Sequence, residues 1–183
     1  MKNKRIQMMA IDGLFIAILT IFTFTNLGFI VNGTVALTTI PIIVFIGGYL
    51  FGWKRGLIYG TAFGVLSLIR ALTSANIDYF FINPLISVLP RAIFGLLAGL
   101  FGKMISKLPL KFSSWLIFIY VIVLSLLHAV MVLTMLGLFN PTIWPFFGAI
   151  IATNTVLETI IYVVSVPLII AGVQPGIKRL NLN

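Results

Sequence analysis

The chain is built from long runs of apolar residues separated by short polar breaks, and the runs are continuous rather than alternating. A bilayer core of about 30 Å needs roughly 20 helical residues per crossing, with about 17 tolerated. Six runs meet that scale: about Ile11–Gly28, Val35–Phe51 (short, and carrying Pro41), Gly56–Leu72, Pro84–Gly102, Ser114–Leu138 (long enough to tilt) and Pro145–Ala171. Continuous apolar runs argue against a β-barrel, whose strands alternate. Backbone groups in lipid must bond within their own segment, so helices are expected. The prediction is a single integral membrane domain over residues 1–183, all-α, with six transmembrane helices.

The breaks have recognisable chemistry. Phe51-Gly52-Trp53-Lys54-Arg55-Gly56 is a basic turn bounded by glycines. In Asn83-Pro84, Asn suits a helix N-cap and Pro the first helical position. Asn140-Pro141 with Pro145 separates the last two spans, and Pro167 is expected to kink the sixth.

Composition then narrows the picture. The chain is 61% hydrophobic and 8% charged, with a mean hydropathy of +1.20. Soluble domains are about a quarter charged, so a soluble globular fold is excluded. The net charge of +9 comes from 12 Lys and Arg against 3 Asp and Glu. Ten of those cations (Lys2, Lys4, Arg5, Lys54, Arg55, Lys103, Lys107, Lys111, Lys178 and Arg179) fall at alternate ends of the spans. The intervening loops Leu27–Thr34 and Phe139–Trp144 carry no charge. The positive-inside rule therefore places both termini in the cytoplasm. Basic residues before an apolar run also resemble a signal peptide, but no small-residue cleavage site follows, so the first run is read as a helix. Without cysteine, and with one His, disulfides and histidine metal clusters are not expected. No Walker motif is present, so P-loop ATP hydrolysis is not expected of this chain.

Five ionisable residues are left unexplained by topology, namely Asp12, Arg70, Asp78, Arg91 and Glu158, together with His128. A charge in a span costs at least about 2.5 kcal/mol on insertion scales, which points to function or a partner. Asn83, Ser87 and Arg91 share one helical face, with Arg91 about 12 Å deep. It faces either a ligand or backbone carbonyls. Asn154 and Glu158 also share a face, and Glu158 is either a ligand contact or part of an internal pair, for instance with Arg91. His128 lies at similar depth. Arg70 ends the stripe Gly60, Gly64, Ser67, whose small residues suit close helix packing; it could snorkel, pair with Asp78 or hold an anionic substrate. The aromatics Tyr79, Phe80, Phe81 and Trp144 fit an interfacial belt or a lid. Ala10, Gly13 and Ala17 form a small-residue stripe on the first span, and Asp12 beside them is expected in the interface near the helix start.

These features together resemble the substrate-binding S components of energy-coupling factor (ECF) vitamin transporters. The segments Phe51–Gly56, Phe63–Ala71 and Asn83–Arg91 look most like the branch that includes pantothenate S components. The resemblance implies a non-enzymatic, high-affinity binding subunit in a bacterial cytoplasmic membrane. It implies no cofactor in this chain, an EcfT-type coupling subunit as partner, and two ABC ATPases that use the ATP. It implies docking through Ala10, Gly13 and Ala17, where the family motif usually has two alanines four apart. It also implies a ligand site drawn from Asn32, Tyr79, Asn83, Arg91, His128, Trp144, Asn154 and Glu158. Pantothenate would pair its carboxylate with Arg91 or Arg70 and its polar groups with Asn83 or Asn154. Pyridoxine or hydroxymethylpyrimidine would use the aromatics, His128 and Glu158 instead. A structural membrane scaffold remains the reading from another class.

Overall fold

A computed structural model describes residues 2–32, 35–73 and 79–179. The first helix, α1, spans Lys2–Phe24 and is followed by an antiparallel hairpin of β1 (Phe29–Asn32) and β2 (Val35–Thr38). Its register pairs Phe29 with Thr38 and Asn32 with Val35. Next come α2 (Pro41–Phe51), α3 (Trp53–Thr73), a 3-10 turn (Tyr79–Ile82), α4 (Pro84–Ser87) and α5 (Leu89–Ser106). The long α6 (Leu110–Phe139) leads through a second 3-10 turn (Pro141–Phe146) to α7 (Phe147–Ile150), a π-helical turn (Ile151–Thr155) and α8 (Val156–Arg179).

Five helical stretches are long and apolar enough to cross a membrane: Lys4–Phe24, Trp53–Thr73, Pro84–Ser106, Phe112–Phe139 and Pro141–Ile177. The second expected span, Val35–Phe51, is different. Its first residues form β2, and α2 has 11 residues, about 16 Å at 1.5 Å per residue. Pro41 sets where the helix begins, because it occupies the first helical turn and has no N–H to bond backwards. Extended backbone at membrane depth is tolerated where protein covers it. The inner end of the hairpin is held by α8 at Thr38, and the short helix α2 is itself covered, with Ile43 through Leu50 all buried.

The core is assembled around α2. Phe45 meets Phe94 of α5 edge-on at 4.9 Å, Tyr120 of α6 at 5.5 Å and Tyr162 of α8 at 6.0 Å. On its other side α2 turns sharply into α3 at Gly52, whose φ of 82° suits glycine. Helices α3 and α5 then cross with almost no side chain between them. A Cβ at Gly64 would fall 2.6 Å from the Val88 Cα, and one at Gly60 would strike the Arg91 carbonyl oxygen. The stripe of small residues is thus a packing seam. Pro167 and Pro175 lie within the continuous α8.

Asp12 departs from expectation. It sits in the middle of α1, well past the first turn where a helix dipole acts. Its Oδ1 accepts from Arg55 Nε at 2.9 Å and from the Tyr59 hydroxyl at 2.6 Å, tying α1 to α3.

Candidate functional site

Lys54 and Arg55, expected in a turn, lie in the first turn of α3 because Gly52 alone makes the break, and two Asn-Pro pairs shape the opposite end of the molecule. Asn83 caps α4, its Oδ1 accepting from Leu85 N at 2.9 Å, with Pro84 in the first turn. Asn140 caps the turn after α6 in the same way, accepting from Thr142 N at 3.3 Å and Thr142 Oγ1 at 2.7 Å. Between them lies a cavity of about 300 Å³, lined by Phe80, Ile82, Asn83, Ile86, Leu136, Phe139 and Asn140. It has the general make-up of a small-molecule site, apolar walls with a few polar groups, at the lower end of the usual size range. Each asparagine uses its amide oxygen as a cap, so the amide nitrogen is the group each can offer a ligand.

Below the cavity lies a buried polar layer. Pro90 has no N–H, so the Ile86 carbonyl four residues earlier loses its helical partner. Arg91 supplies the replacement, with Nη1 donating to Ile86 O at 2.6 Å and to Ser87 O at 3.1 Å. Its guanidinium lies 4.8 Å from the Phe81 ring centre and 5.6 Å from that of Phe63. Ser87 donates to the Phe81 carbonyl, holding the 3-10 turn against α4. His128 packs against Phe94 at 4.7 Å and Phe63 at 6.2 Å. Arg91 and His128, far apart in sequence, therefore share the Phe63 ring.

Glu158 has a defined partner. Its Oε1 accepts from Thr38 N at 2.7 Å and Thr38 Oγ1 at 2.8 Å, so α8 grips the end of the hairpin. Tyr162 OH donates to Thr38 O, adding a second tie. Asn154 lies in the π-helical turn, its Oδ1 accepting from Thr153 Oγ1 at 3.1 Å. Arg70 caps the far end of α1 through Nη1 to Thr23 O at 2.9 Å. Trp144 stacks on Phe147 at 5.6 Å and covers Gly137, where a Cβ would fall 2.7 Å from the indole. The side chains of Asn32 and Tyr79, and Asp78 entirely, lie outside the described residues. Ala10, Gly13 and Ala17 are exposed on α1, with no atom within 4 Å of a Cβ placed on Gly13.

The structure thus brings Arg91 and His128 onto the Phe63 ring, with Asn83 at the cavity, Glu158 at the hairpin and Arg70 of α3 against α1. The cavity residues Leu136 and Asn140 carry no charge that would single them out for binding. The repeated Asn-Pro dipeptide is the signal that marks both of its polar groups.

The family described as ECF transporter, substrate-specific component, matches residues 7–170. The chain belongs to this family. It is therefore a substrate-binding subunit of an ECF-type importer and a multi-pass membrane protein, with the transport role that membership carries rather than an enzymatic one. A search of curated proteins returns no match.

Proposed function

We propose that this S component binds pantothenate and delivers it to an ATP-driven coupling module. The observation that carries the reading is the cavity between Asn83 and Asn140. Its apolar walls suit the branched carbon centre of pantothenate, and two amide nitrogens suit its carbonyl and hydroxyl oxygens. The segments Phe51–Gly56, Phe63–Ala71 and Asn83–Arg91 support the same branch. A second reading, a pyridine or pyrimidine vitamin, is favoured by Phe80 and Phe139 in the cavity wall, which offer stacking faces.

The basic loops are cytoplasmic in this reading, which puts the cavity on the outside and both termini inside a bacterial cytoplasmic membrane. The exposed stripe Ala10, Gly13 and Ala17 supports docking of α1 on an EcfT-type subunit carrying two ABC ATPases. The test is calorimetry of the purified protein against the B-vitamins. Tight one-to-one binding of pantothenate is the expected result. Selective binding of pyridoxine or hydroxymethylpyrimidine would move the assignment to the ring compounds, and no binding of any B-vitamin would refute the vitamin assignment.

A further inference from the structure

The cavity between Asn83 and Asn140 is graded in depth. Ile86 and Leu136 are 3% and 7% exposed and form its floor, while Phe80 and Phe139, at 43% and 52%, form its rim. The two asparagines lie half-buried between floor and rim. None of the seven lining side chains is ionisable. Arg91 does not line the cavity, and its Nη1 already donates to the Ile86 and Ser87 carbonyls.

The acceptors of this wall are in use. Each asparagine Oδ1 serves as a cap. The Asn83 carbonyl accepts from Ile86 N and Ser87 N, the Leu136 carbonyl from Asn140 N, the Asn140 carbonyl from Ile143 N, and the Ile86 carbonyl from Arg91. What the lining offers a ligand is therefore two side-chain N–H2 groups above an apolar floor. That combination suits branched carbon flanked by oxygen acceptors. It does not suit a carboxylate, because an ionised group against Ile86 and Leu136 would lose its hydration without gaining a cation. Pantothenate separates these two characters along its length, with the dimethyl carbon, hydroxyls and amide carbonyl at one end and the carboxylate at the other.

We propose that the ligand seats its branched hydroxy-amide half against the floor and leaves its carboxylate at the rim, where the protein does not read it. Asn140 is then a specificity-determining residue, donating its amide N–H to an oxygen of the buried half. The inference rests on the pantothenate reading above and extends it to a substrate class, the neutral alcohols and amides made at the same carboxylate.

The experiment measures calorimetric affinities of the purified full chain for pantothenate and for panthenol, its alcohol analogue without the carboxylate. The two are expected to agree within about tenfold in the wild type. Asn140→Asp keeps an oxygen to cap the turn and replaces the donor with an acceptor. It should leave the unfolding midpoint unchanged and weaken both ligands by a common factor of about tenfold or more. Asn140→Ser, another capping residue without the amide, should give the same common loss. A carboxylate lodged between the asparagines would instead be repelled by the new charge, so a selective loss of pantothenate in Asn140→Asp overturns the proposal. Unchanged affinities in both variants overturn it as well. If the wild type binds pantothenate and its affinity for panthenol is weaker by more than about tenfold, the inference falls and the pantothenate reading stands. If it binds neither, both fall.

Discussion

Replacing Arg91 with Met tests whether its first duty is to the backbone. The substitution removes the bonds to Ile86 O and Ser87 O, at 2.6 and 3.1 Å. Net hydrogen bonds to charged groups are worth about 1.5–3 kcal/mol, and a stranded buried carbonyl costs about 1–3 kcal/mol. Against this, Met avoids the desolvation of a buried guanidinium, which returns part of the loss. The expected destabilisation is about 2–4 kcal/mol, read from denaturant unfolding in detergent micelles. The decisive arm adds Pro90→Ala. That change restores a backbone N–H for the Ile86 carbonyl, so Arg91→Met should cost about 1–2 kcal/mol less in the Pro90→Ala background. Equal cost in both backgrounds would refute the claim that Arg91 replaces the bond Pro90 omits.

Gly64→Val should destabilise by at least about 1–3 kcal/mol, since its Cβ would meet the Val88 backbone, whereas Gly148→Ala, with open space around it, should be close to neutral in the same assay. Glu158→Leu should expose the Thr38 amide to hydrogen exchange, and Glu158→Gln, which still accepts, should keep most of the protection; equal exchange in both would remove the hairpin tie. Asp12→Asn should cost roughly 1 kcal/mol or less, because the pair with Arg55 is partly exposed. Ala17→Phe on the exposed face of α1 should leave ligand affinity unchanged and abolish uptake by the assembled transporter; normal uptake would remove α1 as the docking face.

How much of this is legible in the chain depends on how local each cause is. The long helices are legible because unbroken apolarity over 18 or more residues specifies little besides a membrane-spanning helix. The Asn83-Pro84 cap is legible because both partners of the bond lie within three residues. The hairpin is not, since Val35 through Thr38 are as apolar as the helix that follows and periodicity cannot separate them. Glu158 is visible as an anomaly, but its partner Thr38 is 120 residues away. Arg91 reads from the sequence as either a ligand contact or a backbone prop. The structure supplies the prop through Pro90, one residue before it, a link that helix geometry alone could have drawn.

The attachment of α1 has a mechanical consequence. Helix α3 holds it at Asp12 through Arg55 and Tyr59, and again at Thr23 through Arg70. Those points are eleven residues apart, about 16 Å along the axis. One tie would let α1 roll or pivot. Two ties at that spacing resist both, and the glycine seam leaves no compressible side chains between α3 and α5. A torque applied to the outer face of α1 would therefore pass to the α3–α5 block instead of being absorbed by a rolling helix.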